Sequence, residues 1–183
     1  MGDTSNPRIW EGATIYVAPV GTARPTDVTT AWSGTWKDVG LLHDETGMIE
    51  SSSETTNDYY AWGGILVRTT RSKEKRTIKF AMLEDTAVVF GLVNPGSVTW
   101  TSGGTTVRTV KVRNTDKRAF GIETTDGSTV RRRVIPSGEV IEVADISHGE
   151  DKMTMYEVTV SVYPDAHGVL WYELSNDDQV ESS

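Results

Sequence analysis

The stretch RAFGIETTDGSTVRRRVI, residues 118–135, decides the fold. Asp126 and Gly127 stand near its middle and form the strongest turn signal in the chain, because glycine readily adopts the positive φ angles that a tight hairpin needs. The flanking segments, residues 118–125 and 128–135, carry the β-branched residues that are typical of strands. The stretch therefore predicts an antiparallel hairpin, and short strands separated by turns continue from it in both directions.

Two further segments show the period-two alternation of half-buried strands. Residues 76–83 place Ile78, Phe80 and Met82 on one face, and residues 153–163 do the same with Tyr156, Val158, Val160 and Val162. Shorter strands are predicted at residues 13–19, 36–42, 47–52, 65–70, 98–101, 105–113, 139–146 and 169–174. Among these we expect 36–42 to pair with 47–52, and a turn at 136–138 to precede 139–146. The count is about eleven strands.

Composition supports the same class of fold. The 183 residues include 21 Val and 25 Thr, which suit pleated strands better than helices. The one helix predicted is residues 84–93, which begin with two acidic residues and end before Asn94, Pro95 and Gly96. We therefore predict a mainly β protein, an antiparallel β-sandwich or barrel with one short flanking α-helix.

The length favours a single domain, which we place at residues 13–174. Residues 1–12 are predicted to be an N-terminal arm and residues 175–183 a flexible C-terminal tail. Residues 51–64, SSSETTNDYYAWGG, are predicted to be a long polar loop that ends in aromatic residues. Long loops inside compact domains are usually functional or disordered. Because a disordered segment has little use for Tyr59, Tyr60 and Trp62, we favour a contact role.

The net charge of −8 is unevenly distributed. Residues 1–66 carry 9 acids and 3 bases (−6), residues 67–138 carry 6 acids and 14 bases (+8), and residues 139–183 carry 11 acids and 1 base (−10). The total argues against tight, direct binding of nucleic acid, which needs a basic footprint. The blocks are either a solubilising surface or surfaces that meet one another, within or between copies.

Candidate chemistry is sparse. The chain has no cysteine, and its three histidines do not form a metal-binding motif. No nucleophile elbow or phosphate-binding loop is present, so we predict neither an enzyme nor a cofactor. No apolar run is long enough for a signal peptide or a membrane anchor. The one dense basic cluster is Arg131, Arg132 and Arg133, hereafter the arginine run. On a strand Arg131 and Arg133 share a face, and salt bridges to the acidic C-terminal third are favoured over nucleic-acid binding.

The order of several segments resembles a known family. These are GTARPTDVTTAW, WKDVGLLHDETGMIES, a polar stretch closing in AWGG, LVRTTRS and TIKFAMLEDT, followed by RAFGIETTDGSTVRRRVIPSGEVIEV and VSVYPD. Together they are similar to the major tail tube protein of long-tailed, noncontractile bacteriophages, in the versions found in phages of actinobacteria. The resemblance covers roughly residues 13–174. The arginine run departs from the family pattern.

The resemblance implies β-sandwich subunits that assemble as stacked hexameric rings around an acidic lumen. Such a tube houses the tape-measure protein, passes DNA transiently, and meets tail terminator and tail-tip proteins in a virion made in the bacterial cytoplasm. Three sets of site residues follow as expectations. The inter-ring contacts are Asn57, Asp58, Tyr59, Tyr60 and Trp62; the lumen acids are Asp38, Glu50 and Glu54; the inter-subunit basic cluster is Arg131, Arg132 and Arg133.

Two other classes of function stay open at this stage. A monomeric β-sandwich that binds a carbohydrate or a receptor would gather tyrosine and tryptophan on a concave face. An acidic hydrolase would need dispersed catalytic carboxylates.

Overall fold

The computed structural model of the protein describes residues 7–177. Within this range the chain forms ten β-strands and one α-helix, which confirms the predicted class. In chain order they are β1 (Gly12–Pro19), β2 (Lys37–Asp38), β3 (Met48–Ala61), β4 (Ile65–Met82), α1 (Ala87–Val93), β5 (Val98–Ser102), β6 (Thr105–Thr109), β7 (Lys117–Asp126), β8 (Thr129–Val143), β9 (Tyr156–Tyr163) and β10 (Tyr172–Ser175).

Eight strands form one antiparallel sheet in the order β2-β1-β7-β8-β9-β4-β3, with β10 also paired to β8. The predicted hairpin around Gly127 is present as β7 and β8, with Asp126 opposite Thr129. β10 and β9 follow one another along one edge of β8, while β7 occupies the other edge. β5 and β6 form a separate two-stranded hairpin.

Residues 37–43, hereafter the closing segment, connect the two sides of the large sheet. β2 pairs with β1, and the Val39 amide donates to the carbonyl of Ile15 at 3.0 Å. Further along, Leu42 bridges to Met82, and the Leu83 amide donates to Leu41. The sheet thus curls around one interior, as a barrel does.

The interior is filled by the side chains that the period-two pattern predicts. Ile78, Phe80 and Met82 of β4 are at most 2% exposed, and Val158 and Val160 of β9 are 1% exposed. They pack with apolar residues of β1, β7, β8 and α1 in one cluster. The described structure thus has a solid apolar core rather than a ligand cavity at its centre.

The predicted helix begins too early. Thr86 is the N-cap of α1 and its hydroxyl accepts from the Val89 amide at 3.2 Å, so the helix starts at Ala87 rather than at residue 84. The two acids therefore lie outside the first turn. Glu84 accepts from the Leu41 amide at 2.9 Å, and Asp85 forms an ion pair with Arg108 at 2.5 Å.

The prediction of a loop at residues 51–64 is wrong, because β3 continues to Ala61 in register with β4. The predicted pairing of residues 36–42 with 47–52 is wrong as well. β2 pairs with β1 instead, and β3 pairs with β4. The sequence around residues 51–61 gave no alternating apolar pattern because neither face of this part of β3 is buried in the subunit.

The predicted turn at residues 136–138 is a bulge inside one long strand, β8. The register shifts between the pairs Arg118–Gly138 and Phe120–Ile135, so that β8 carries one extra residue. Proline fits such a position because it cannot donate to the strand ladder. A side chain at Gly138 would meet Phe120 and Val160 at 2.9 Å, so close packing explains the glycine.

The ends of the domain extend beyond the predicted limits. β1 begins at Gly12, and β10 includes Ser175. Arg8 forms an ion pair with Asp177 at 2.9 Å, which ties the two ends of the described chain together. The remainder of the predicted arm and tail, residues 1–6 and 178–183, lies outside the described residues.

We expect Gly40→Ala to destabilise the subunit by about 2–3 kcal/mol, because it combines positive-φ strain with a steric clash. Gly40 has φ 85°, and a Cβ there would lie 2.3 Å from the Glu84 carboxyl carbon, displacing the group that holds the closing segment. Gly103→Ala is the matched control, since its φ is 57° but open space surrounds it. Urea unfolding should show that the control loses only about 1 kcal/mol of unfolding free energy. Equal losses for the two variants would contradict the proposed clash at Gly40.

Candidate assembly interface

The most exposed part of the fold is the distal half of the β3–β4 hairpin, residues 51–75, hereafter the outer hairpin. Its inner end is anchored to the core, where Met48 pairs with Phe80. Beyond that point every side chain from residue 51 to residue 75 is exposed, except the half-buried Thr70. At about 3.4 Å per residue, the eleven positions of β3 from 51 to 61 extend roughly 35 Å.

Two irregularities shape this hairpin. Between Ser53 and Thr55 the register shifts, and Lys73 on the opposite strand has a left-handed φ of 57°. A second shift lies between Tyr59 and Tyr60. Bulges of this kind bend and twist a strand pair. The first lies near the inner end of the outer hairpin, and the second marks the start of its tip.

The tip of the outer hairpin is apolar. Trp62 is 101% exposed and Tyr60 is 61% exposed, and the exposed apolar surface continues on the returning strand through Ile65, Leu66 and Val67. Since successive strand residues point to opposite faces, Tyr59 and Tyr60 present aromatic surface on both faces of the ribbon. Exposed apolar patches mark interaction sites in soluble proteins.

The outer hairpin also carries an open edge. β3 is 14 residues long, and within residues 7–177 its only paired neighbour is β4. Long open edges template association with other strands, and an isolated two-stranded ribbon is marginally stable in water. The edge and the apolar tip together indicate a segment that is completed by contact with another molecule.

Residues 20–36, hereafter the covering segment, lie against the outer face of β1, β7 and β8. Trp32 stacks on Tyr16 with ring centroids 4.6 Å apart, and Trp36 packs with Ala18, Ala119 and Val134. Gly121 allows this arrangement, because a Cβ there would lie 2.4 Å from the Trp32 ring. A second, smaller apolar cluster thus sits outside the main core.

The arginine run alternates between faces as predicted. Arg132 is 4% exposed and lies beneath the covering segment, where it donates to Glu123 at 2.6 Å and to the carbonyls of Asp27 and Thr30 at 3.0 and 2.6 Å. The Trp32 indole donates to the same Glu123 carboxylate at 2.9 Å. Arg132 therefore fastens the covering segment to the sheet.

Arg131 and Arg133 share the other face. Both form ion pairs with Glu173 in the acidic C-terminal third, at 3.3 and 3.0 Å, and Arg133 also contacts Glu50 at 2.5 Å. These pairs are made inside one chain, so the salt bridges expected from the sequence are present. An inter-subunit role for the arginine run stays a prediction.

The three candidate lumen acids lie in different surroundings. Asp38 is exposed on β2 and accepts from the Gly40 amide. Glu50 lies between Arg133 and Arg76, which offset its charge. Glu54 is on the outer hairpin, 3.6 Å from Arg71. The candidate contact residues Asn57, Asp58, Tyr59, Tyr60 and Trp62 do come together at the end of the outer hairpin.

Sequence reasoning missed three tryptophans that accompany the arginine run. The guanidinium of Arg131 lies over Trp10, that of Arg132 over Trp32 and that of Arg133 over Trp171, at 4.8, 5.4 and 4.9 Å from the ring centroids. Cation–π contacts of this geometry are stabilising. The tryptophans are widely separated in sequence, so no local sequence pattern indicated these contacts.

Asp27 gives the covering segment a pH dependence. Its carboxylate accepts hydrogen bonds from the amides and hydroxyls of Thr30 and Thr29, which hold the pKa of Asp27 well below its usual range. The stabilisation is therefore fully present above the unfolded pKa of about 3.9 and is lost as the pH falls through the lower folded value. We expect thermal melts of Asp27→Asn and wild type to differ by a constant amount above about pH 4 and to converge below it. A difference that persists unchanged at pH 2 would contradict this assignment.

Residues 7–177 contain no cluster of three or more metal-binding side chains. No helix among those residues is long and apolar enough to cross a membrane.

Comparisons with known proteins agree with this geometry. The model of the phage tail tube protein family matches residues 2–183, nearly the whole chain. No curated protein matches at the sequence level.

Solved structures share the fold. A chain of the sheath–tube complex of the PVC extracellular contractile injection system, in the extended state, is 10% identical, with a TM-score of 0.53 over 96% of this chain and 99% of that one. A chain from the PVC sheath/tube terminator is 9% identical, with a TM-score of 0.54 over 93% and 99%. One from the anti-feeding prophage tube-terminating cap is 7% identical, with a TM-score of 0.50 over 96% and 99%.

The shared β architecture, the projecting hairpin and the family match lead to one conclusion. The chain belongs to the phage tail tube protein family and is a structural component of a phage tail, not an enzyme.

Proposed function

We propose that this protein assembles into hexameric rings that stack into the tail tube of a long-tailed, noncontractile phage. The tube houses the tape-measure protein during assembly and passes DNA at ejection. Its ends meet the tail terminator and tail-tip proteins. The subunit is made in the cytoplasm of the host bacterium and becomes part of the virion.

The observation that carries the proposal is the outer hairpin. This ribbon of 25 residues has both faces and both strand edges in solvent, and no contact within its own subunit explains why it projects. Pairing it with a neighbour buries Trp62 and the two tyrosines and satisfies the open strand edge. A ring follows when such head-to-tail contacts close, and a tube follows when rings stack.

The charge supports passage of DNA without binding. Six copies of a −8 subunit give a strongly negative wall, which repels the phosphate backbone and lets DNA slide. We retain Asp38, Glu50 and Glu54 as the candidate lumen acids. Glu50 and Glu54 lie beside arginines, and Asp38 is exposed next to the surface cavity at the base of β3.

Electron microscopy of the purified protein across a concentration series tests the proposal. We expect six-fold rings at intermediate concentration and hollow tubes at high concentration, with growth accelerated by added tube fragments. A species that stays monomeric at high concentration, with fragments present, contradicts it.

The alternative of a carbohydrate- or receptor-binding module receives no support from the placement of the aromatic residues. Tyr59, Tyr60 and Trp62 project from a ribbon tip on both faces instead of lining a concave surface. Trp10 and Trp171 lie beneath arginines.

A further inference from the structure

A surface cavity with a volume of about 640 Å³ lies at the base of β3. We call it the base cavity. Its walls come from the segment before β1, the start of β1, the closing segment and the start of β3, and include Trp10, Ala13, Leu41, Leu42 and Met48. Leu41 is 67% exposed within it, so an apolar surface stands open to solvent.

The charged groups that line the base cavity are all acidic. They are Glu11, Asp38, Asp44 and Glu84, beside His43, and no lysine or arginine among residues 7–177 lines it. Outside the lining, the Arg131 guanidinium lies 4.8 Å from the ring centroid of Trp10 and forms an ion pair with Glu173. The cavity therefore combines an apolar wall with a strongly negative rim.

The tip of the outer hairpin has the complementary chemistry. The tip, residues 59–68, carries Arg68 and no acidic residue, and it holds the most exposed aromatic side chain of the described structure, Trp62. Asp58, just before the tip, accepts a hydrogen bond from the Thr69 hydroxyl at 2.7 Å. An aromatic anchor in an apolar pocket with opposite charges at the rim is the usual arrangement of an interface hot spot.

A hairpin cannot fold back into the base cavity of its own subunit. Met48 lines that cavity and Ala61 ends the same strand, so the two sites lie about 40 Å apart along β3. A hairpin tip that occupies the cavity must therefore come from another copy.

We propose that the base cavity receives the outer-hairpin tip of a second copy of this chain, with Trp62 against Leu41 and Arg68 facing the acidic rim. This inference rests on the proposed tube function and names the receiving surface. Because donor and receiver are different surfaces about 40 Å apart, repeated docking gives an open, head-to-tail series with a repeat of roughly that length.

Disulfide trapping in this cysteine-free chain tests the docking directly. Ala61→Cys marks the tip and Ala13→Cys marks the cavity, and both are exposed alanines. On mild oxidation, the double variant should give a ladder of covalent oligomers. The matched control combines Ala61→Cys with Ala166→Cys, which is exposed and lies outside the cavity. It should give at least about tenfold less covalent oligomer, because only docking raises the effective thiol concentration.

A charge reversal provides a second arm. Arg68→Glu in the trapping variant should reduce the ladder severalfold, whereas reversing the exposed Lys152, which does not line the cavity, should leave it unchanged. If Arg68→Glu leaves the ladder unchanged, the proposed contact between Arg68 and the acidic rim is wrong.

The outcomes separate this inference from the function on which it rests. If tubes form but no ladder appears, the cavity assignment is wrong and the tube function stands. If neither tubes nor a ladder form, both are wrong. If Ala13→Cys in unassembled subunits reacts with maleimide only after residues 1–6 are deleted, the cavity is the seat of the chain's own N-terminal segment, and the proposal is wrong.

Discussion

Replacing Tyr59, Tyr60 and Trp62 together by alanine should leave the subunit folded and raise the critical concentration for tube growth by at least about 100-fold. All three side chains are more than half exposed and none touches the core, so the free energy of unfolding should change little. If the three side chains are interface anchors as we propose, each contributes about 2 kcal/mol when a partner buries it, and even a non-additive sum exceeds the roughly 2.7 kcal/mol that a 100-fold change requires. Sedimentation across a concentration series measures the effect.

The control is a matched set of exposed apolar residues elsewhere. Trp100, Val110 and Val112 are 51%, 65% and 93% exposed and lie in or just after the β5–β6 hairpin. Their simultaneous replacement by alanine also removes one exposed tryptophan and two further exposed side chains, and it should leave the critical concentration within about threefold of wild type. Normal tubes from the outer-hairpin variant, or equal losses from both, would remove the assembly role of the tip.

Arg132→Ala should cost about 3–5 kcal/mol of unfolding free energy, the largest effect we expect of any single substitution on stability. Arg132 is buried, and its removal leaves the Glu123 carboxylate without its cation and the carbonyls of Asp27 and Thr30 without a donor. The covering segment should then detach, which exposes Trp32. Urea unfolding followed by tryptophan fluorescence reports both changes.

Two companion variants show whether the planar guanidinium matters. Arg132→Lys keeps the charge but loses the fork that reaches Glu123 and the carbonyls together, so we expect a loss of about 2 kcal/mol. Arg68→Ala removes an exposed arginine of the outer hairpin and should change stability by less than about 0.5 kcal/mol. If Arg132→Ala resembles Arg68→Ala, the fastening role of Arg132 is wrong.

Elements that bury one face could be predicted from the sequence. The inner part of β4, residues 76–82, and β9 alternate because each places every second side chain in the core. The turn at Gly127 is indicated by its own residues, Asp126 and Gly127. The outer part of β3 escaped prediction because it buries nothing within the subunit, so its composition is polar and resembles a loop. The bulge in β8 was mistaken for a turn because Pro136 and Gly138 serve both purposes.

The candidate site was predictable to a similar extent. The aromatic cluster at the end of residues 51–64 and the alternation of the arginine run follow from local sequence. The contacts of Arg132 do not, because Asp27, Thr30 and Glu123 reach it from a distant segment and a neighbouring strand. The four acids of the base cavity are likewise scattered over the first 84 residues and meet only in the folded chain.

The marginal stability of the outer hairpin has a kinetic consequence. A free subunit must order this ribbon without help, whereas a subunit that arrives at an existing end finds a surface that stabilises it. If the protein assembles as we propose, spontaneous initiation is slow and elongation is fast, so polymerisation should show a lag that preformed ends abolish. Tail length would then be set by where growth is permitted to start and stop, since subunits in solution would rarely begin a polymer of their own.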